Sequence, residues 1–147
     1  KPVDAVSMLQ GELDAVENSF DGEITIDLPD ERFVLADTPL RRGFYHLLTN
    51  AVEHNDATDP QLSVRITDAD DRVGWVAIEI EDNGPGIPPE ELDVLTAGEE
   101  TDLNHGSGIG LWVVNWVVTR YGGELSFETP PDGGSLVRIT LPGADTQ

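Results

Sequence analysis

"WVAIEIEDNGPGIPPEEL", residues 75–92, sets two kinds of backbone side by side. Residues 75–80 alternate and are rich in β-branched and aromatic side chains, the pattern of a strand with a buried face. A strand ordinarily closes on a two-residue turn and reverses. This one meets Glu81, Asp82 and Asn83, then two glycines around Pro85, then a proline-led helix start. A carboxylate at the end of a buried strand, followed by permissive backbone, asks what the strand end is for.

Outward from this stretch the chain falls into short elements. On the N-terminal side, "QLSVRITDAD" (61–70) and "RVGWVAIEIED" (72–82) read as two strands around the turn "DADD". Before them, Asp37 caps a helix over 38–55, with Pro39 in its first turn and a core stripe of Leu40, Phe44, Leu47, Leu48 and Ala51. "EITIDL" (23–28) and "RFVLA" (32–36) are strands that "PDE" joins into a short hairpin. Val3, Val6, Leu9, Leu13 and Val16, spaced by three and four, predict an amphipathic helix over 3–19, blemished by Gly11.

On the C-terminal side, "PPEELDVL" (88–95) is a short helix, and 96–107 has no periodicity and reads as a loop. "GIGLWVVNWVVTRY" (108–121) is a helix apolar on most sides, hence buried, ending at Gly122-Gly123. "ELSFET" and "SLVRITLP" form a last hairpin through "PPDGG". The order α β β α β β α α β β predicts an α+β two-layer sandwich: a mixed, mostly antiparallel sheet with about three helices on one face. No repeat, low-complexity tract or linker divides residues 1–147, so one domain is expected.

The 147 residues include 29 Asp or Glu against 8 Lys or Arg, a formal net charge of −21, and Lys1 is the one lysine. Such charge repels nucleic acid and anionic membranes, so neither is expected as a direct partner. No apolar run approaches the roughly 20 residues of a membrane span. The start of the chain lacks the layout of a signal peptide. There is no cysteine, which excludes disulfides and thiolate metal sites. The periodic apolar segments argue for a folded domain with a surface built for concentrated salt, as in a halophile, against a merely acidic mesophile protein.

Three short stretches could carry chemistry. Asn50, in "HLLTNAVEHND", falls beside the apolar stripe of its helix. It is either a buried Asn bonded to backbone or an oxygen ligand for Mg²⁺, which is usually held together with substrate phosphates. His46 and His54 lie four residues to either side of it, and no HExxH pattern marks a zinc site. Asp82 could accept a hydrogen bond from an exocyclic amine, the group that separates adenine from guanine. Gly84 and Gly86, lacking Cβ, would let backbone lie against a flat base. An ordinary capped Asn-Gly-Pro-Gly turn explains the same letters. "HGSGIGL" (105–111) brings Gly106, Gly108 and Gly110 into a helix start that can hold phosphate. Its G-x-G-x-G spacing after a polar loop is not the dinucleotide fingerprint, and no lysine follows as in a Walker loop. No Lys or Arg occurs from Ile87 to Thr119, so phosphate charge would fall to Mg²⁺, backbone N–H groups and His105.

Taken in order, these stretches resemble the ATP-binding catalytic domain of sensor histidine kinases, in the superfamily shared with gyrase, MutL proteins and heat-shock chaperone ATPases. "LLTNAVEHN" is similar to the family's N box, "DNGPGI" to its first glycine box, "GSGIGLWVVNWVVTRYGGEL" to its second, and "GGSLVRITLP" to its closing strand. The resemblance runs from about Leu9 to Pro142 and implies the Bergerat-type ATP-binding fold. It implies Asn50 as Mg²⁺ ligand and, with His46, as the catalytic pair. It also implies Asp82 as adenine reader, with Ser135 assisting through water where relatives carry Thr. His54, Gly84, Gly86, Ile87, Gly106, Ser107, Gly108, Gly110 and Leu111 join the nucleotide contacts, and 96–107 becomes the ATP lid.

The sequence also departs from the family. His46 stands where hydrolysing relatives carry a Glu and many histidine kinases an Asn, which favours phosphotransfer over hydrolysis. Glu53 replaces a basic residue, the phenylalanine-rich box before the lid is absent, and the lid is short. No histidine precedes His46, so the phosphoacceptor is expected on a dimerisation hairpin outside this chain, cut off just before Lys1. The implied function is transfer of the γ-phosphate of Mg·ATP to that histidine in cytoplasmic two-component signalling, with a response regulator downstream. The alternatives are an anti-sigma-type serine kinase or ATPase of the same superfamily, and a non-catalytic nucleotide-sensing domain.

Overall fold

The computed structural model describes residues 2–18, 20, 22–53, 55, 58–69, 72–84, 114–130 and 133–144, with Asn50 and Glu53 described through their backbone. The elements are β1 (Pro2–Asp4), α1 (Ala5–Glu17), β2 (Glu23–Asp27), β3 (Phe33–Leu35), α2 (Pro39–Glu53), β4 (Gln61–Asp68), β5 (Trp75–Asp82), β6 (Glu124–Glu128) and β7 (Ser135–Pro142). Residues 114–120 are also helical. A five-stranded sheet has the order β2-β4-β5-β7-β6, and β1 and β3 form a separate two-stranded sheet. This is the expected α+β sandwich, a mixed sheet in which, among the described residues, β2 with β4 is the one parallel pair.

Period-two alternation assigns the sheet its faces. Val76, Ile78 and Ile80 of β5 are buried with Leu62, Val64 and Ile66 of β4 and Val137, Ile139 and Leu141 of β7. Against them pack Leu9, Leu13 and Val16 of α1, Leu40, Phe44, Leu47, Leu48 and Ala51 of α2, and Val114 and Val118. The stripes read from the sequence therefore form one core. Positive φ at Gly122 (+78°) ends the 114–120 helix, whose last turn closes through Gly123 N–H to the Val118 carbonyl at 3.0 Å.

On the opposite face Glu79 lies in register between Arg65 of β4 and Arg138 of β7. The Arg65 Nε donates to Oε1 at 3.0 Å and the Arg138 Nε to Oε2 at 2.7 Å. Burial, the largest influence on Glu79, pushes its pKa up. The hydrogen bonds and charges of the two arginines together outweigh burial and hold it below the ordinary value.

Two expectations about the N-terminal third do not hold. The first helix begins at Ala5, because Asp4 caps it by accepting from Val6 N–H at 3.1 Å, and residues 2–4 form β1. Residues 23–28 and 32–36 do not make a hairpin. β2 runs parallel beside β4, and β3 pairs antiparallel with β1. The deciding bonds are long-range: the same Asp4 carboxylate accepts from Arg32 N–H at 3.0 Å, and Ala5 N–H donates to the Arg32 carbonyl at 2.9 Å. They draw residues 32–35 to the chain's start, where no local signal points. Asp37 uses its carboxylate on the adjacent Thr38 N–H, at 2.7 Å, and its carbonyl on Leu40 N–H.

The parallel pair fixes where α2 lies. Returning from β2 to a parallel neighbour needs a crossover, which α2 supplies on the core face. The expected elements at 88–95 and 96–107 lie outside the described residues.

Candidate functional site

The alternation that buries Val76, Ile78 and Ile80 puts Asp82 on the same face, toward the helices. A carboxylate thus stands at the end of the apolar row of the central strand. Ser135, at its register partner position on β7, is buried, and its hydroxyl donates to Asp82 Oδ2 at 2.7 Å. The backbone N–H of Gly84 donates to Oδ1 at 2.9 Å. Burial raises the Asp82 pKa, and these two hydrogen bonds offset part of that rise. Each oxygen keeps acceptor capacity beyond these bonds, so the group can take a further N–H from a ligand.

The backbone around this carboxylate is crowded. Gly134, at φ +87°, lies so close that a Cβ there would stand 2.0 Å from the Asp82 carbonyl oxygen. A Cβ on Gly84 would meet Asp82 Oδ1 at 3.1 Å and the Asn55 Cα at 3.2 Å. The glycine therefore lets the strand end approach the chain leaving α2.

Asn83 makes that approach specific. Its Oδ1 accepts from Gln61 N–H at 2.8 Å and from Asn55 Nδ2 at 2.9 Å. Its Nδ2 donates to the Asp59 carbonyl at 2.9 Å, and its backbone N–H to the Gln61 carbonyl at 3.3 Å. Sequence reasoning passed over Asn83, Gly134 and the Arg65–Glu79–Arg138 ladder. The first had a visible signal, since Asn beside a turn glycine commonly bonds nearby backbone. The other two depend on cross-strand partners.

Asn50 lies near the C-terminal end of α2, three residues before Glu53. His46, one turn earlier, lines a groove with Glu12, Thr38, Pro39, Arg41, Arg42 and Tyr45. Desolvation by burial and then the nearby charge of Arg42 lower the His46 pKa, which favours the neutral imidazole. The structure thus brings Asp82, Ser135 and Gly84 into one cluster, with α2 alongside. His54, Gly86, Ile87, Gly106, Ser107, Gly108, Gly110 and Leu111 lie outside the described residues.

Residues 36–145 match the family of histidine kinase-, DNA gyrase B- and HSP90-like ATPases. The sensor histidine kinase component HK1 of Mycobacterium tuberculosis is 35% identical over 125 residues, which are 82% of this chain and 71% of that protein. The sensor-type histidine kinase PrrB of Mycobacterium leprae is 34% identical over 96% of this chain, a span that makes up 32% of its own length. Among solved structures, that of the mycobacterial sensor histidine kinase MprB superposes with a TM-score of 0.82 at 28% identity, covering 99% of this chain and 100% of that one. The chain belongs to the histidine kinase-, DNA gyrase B- and HSP90-like ATPase family, and these relatives within it are sensor histidine kinases.

Proposed function

We propose that this chain is the catalytic ATP-binding domain of a two-component histidine kinase, and that Asp82 reads the adenine of its ATP. The observation that carries the reading is the half-buried carboxylate of Asp82. It is held by Ser135 and Gly84, has acceptor capacity to spare, and stands on the core face beneath α2. An exocyclic amine fits such an acceptor, and a guanine carbonyl does not. Gly84 and Gly86 would give the base a surface without side chains.

Along α2 from that end come Asn50, His46 and Arg42, each one turn beyond the last. The helix rises about 6 Å over each such four-residue step. Adenine at Asp82 therefore directs the phosphates along α2 toward its N-terminus. Asn50 would offer its amide oxygen to Mg²⁺, whose other ligands come from phosphate and water, as is usual for this cation. Gly106, Ser107, Gly108, Gly110 and Leu111 would supply backbone contacts to the phosphates, and 96–107 would act as lid. Ile87 would flank the base, and His54 the ribose-phosphate side.

His46 lies next in line after Asn50. It stands where hydrolysing relatives carry the Glu that serves as general base, and the loss of that Glu favours transfer over hydrolysis. In the transfer itself, a nitrogen of an acceptor histidine on a separate dimerisation hairpin attacks the γ-phosphorus. The bond to the bridging oxygen breaks, and ADP leaves. The domain contributes mainly positioning and charge neutralisation. Residues 1–147 would act as one such domain, in the cytoplasm and without direct contact with membrane or nucleic acid. The hairpin and, after it, a response regulator would be its partners. No helix among the described residues is long and apolar enough to cross a membrane. The charge of −21 supports a protein adapted to concentrated salt.

The test is to incubate the domain with γ-labelled ATP, Mg²⁺ and a hairpin carrying the acceptor histidine. Label on the hairpin that survives base and is released by acid is the expected result. Label on serine, or release of phosphate alone, would favour the serine kinase or ATPase reading. Tight ATP binding with neither would favour a nucleotide sensor.

A further inference from the structure

We propose that Asn83 is a positioning residue that fixes the separation between the adenine-reading end of β5 and the helix α2 carrying Asn50. This deepens the ATP-site reading and rests on it. The Asn83 amide makes three hydrogen bonds: Oδ1 accepts from Gln61 N–H and Asn55 Nδ2, and Nδ2 donates to the Asp59 carbonyl. All three partners belong to the stretch between the end of α2 and the start of β4, while Asn83 itself follows Asp82 directly. Its backbone extends the β4–β5 ladder by one more bond, from its N–H to the Gln61 carbonyl.

Gly84 supplies the other half of the device. With no Cβ it lets Asn55 come within 3.2 Å of where that atom would stand, on the side of the turn that also faces Asp82 Oδ1. The strand end and the chain leaving α2 are thus joined by a side-chain clip and a close backbone approach at neighbouring residues. These hydrogen bonds are exposed to solvent, so they add little to global stability. What they fix is a distance. A ligand bound at one end only does not read that distance, whereas one spanning from Asp82 to Asn50 does.

The choice of probes follows from this. Adenosine reaches only the Asp82 end, and Mg·ATP spans both. In Asn83→Ala the affinity for Mg·ATP should fall roughly tenfold, as expected when about one hydrogen bond's worth of preorganisation is lost. Adenosine affinity should stay within about twofold, and the melting temperature within roughly 3 °C. Asn55→Ala removes one of the three bonds and should show the same split to a smaller extent. The double variant should bind Mg·ATP no more weakly than Asn83→Ala alone, because that substitution already removes the Asn55 contact. Asn55→Ala also serves alone if Asn83→Ala does not fold.

Calorimetric or NMR titration of all four proteins decides it. The proposal is overturned if adenosine and Mg·ATP lose affinity equally, if neither does, or if the two substitutions add. Asp82→Asn in the same series keeps the two questions apart. If it leaves ATP binding intact, the ATP-site reading fails. If it abolishes binding while Asn83→Ala changes nothing, only the positioning role fails.

Discussion

Replacing Asp82 by Asn should weaken ATP binding and at the same time stabilise the empty domain. The substitution is nearly isosteric. An amide oxygen can still accept from Gly84 N–H, and the Ser135 hydroxyl can turn to accept from the new NH₂. Burial raises the Asp82 pKa above the ordinary carboxylate value. Between that value and the raised one, the folded state binds more protons than the unfolded state. Stability contributed by the group is therefore present at low pH and lost as pH rises through this window, and the full penalty is in place above the raised value. Asn has no charge to desolvate and escapes it.

In a chain of this size each kcal/mol recovered raises the melting temperature by roughly 2–4 °C. The advantage of the variant should shrink on acidification as the wild-type carboxyl gains its proton. For binding, a hydrogen bond to a charged acceptor contributes about 1.5–3 kcal/mol. Its loss corresponds to roughly a 10- to 150-fold weaker dissociation constant. Differential scanning fluorimetry from pH 4.5 to 8 without nucleotide, with calorimetric titration of Mg·ATP at pH 7.5, measures both. A lower melting temperature for the empty variant, with ATP affinity unchanged, would refute the assignment of Asp82 as a desolvated, ligand-reading carboxylate.

Other substitutions probe the same geometry. Ser135→Ala removes a bond that favours the ionised form, so the acid limb of ATP binding should move to higher pH relative to wild type, as read from affinity titrations across pH. Gly133→Ala and Gly134→Ala both place a side chain at positive φ, a penalty of about 1–2 kcal/mol. A Cβ at Gly133 meets open space and one at Gly134 meets the Asp82 carbonyl, so urea denaturation should show the second far more damaging. Glu79→Gln weakens two arginine contacts that solvent already screens, since the Arg65 and Arg138 side chains are 51% and 41% exposed. A loss of about 1–3 kcal/mol is expected near neutral pH. The lowered Glu79 pKa means that this stability is present above the ordinary carboxylate range and vanishes as pH falls through the lower, folded value. Raising KCl from 0.1 to 1 M shortens the screening length from about 10 to about 3 Å, so the melting temperature should rise if self-repulsion of the −21 charge limits stability.

The core and most of the sheet were legible in the sequence because their signals are periodic and local. Alternation in 75–80 fixed the buried row of β5 and, by parity alone, the face on which Asp82 stands. The spacing of Leu40, Phe44, Leu47 and Leu48 fixed the inner face of α2, and with it the place of Asn50 near the end of that helix. Glycines after 121 and the "PPDGG" turn marked the last helix end and the last hairpin. Tertiary structure alone decided the partners. Residues 23–28 and 32–36 read as a hairpin, yet they belong to different sheets because Asp4 takes the backbone N–H of Arg32, 28 residues away. Asp82 became a half-buried, doubly bonded carboxylate only when β7 brought Ser135 opposite it. Asn83 became a clip only when the chain leaving α2 closed on the strand end. A sequence states the period of a side chain but not its cross-strand partner. Pairing depends on which distant segments can share one core, and the burial and charge of a site residue follow from that pairing.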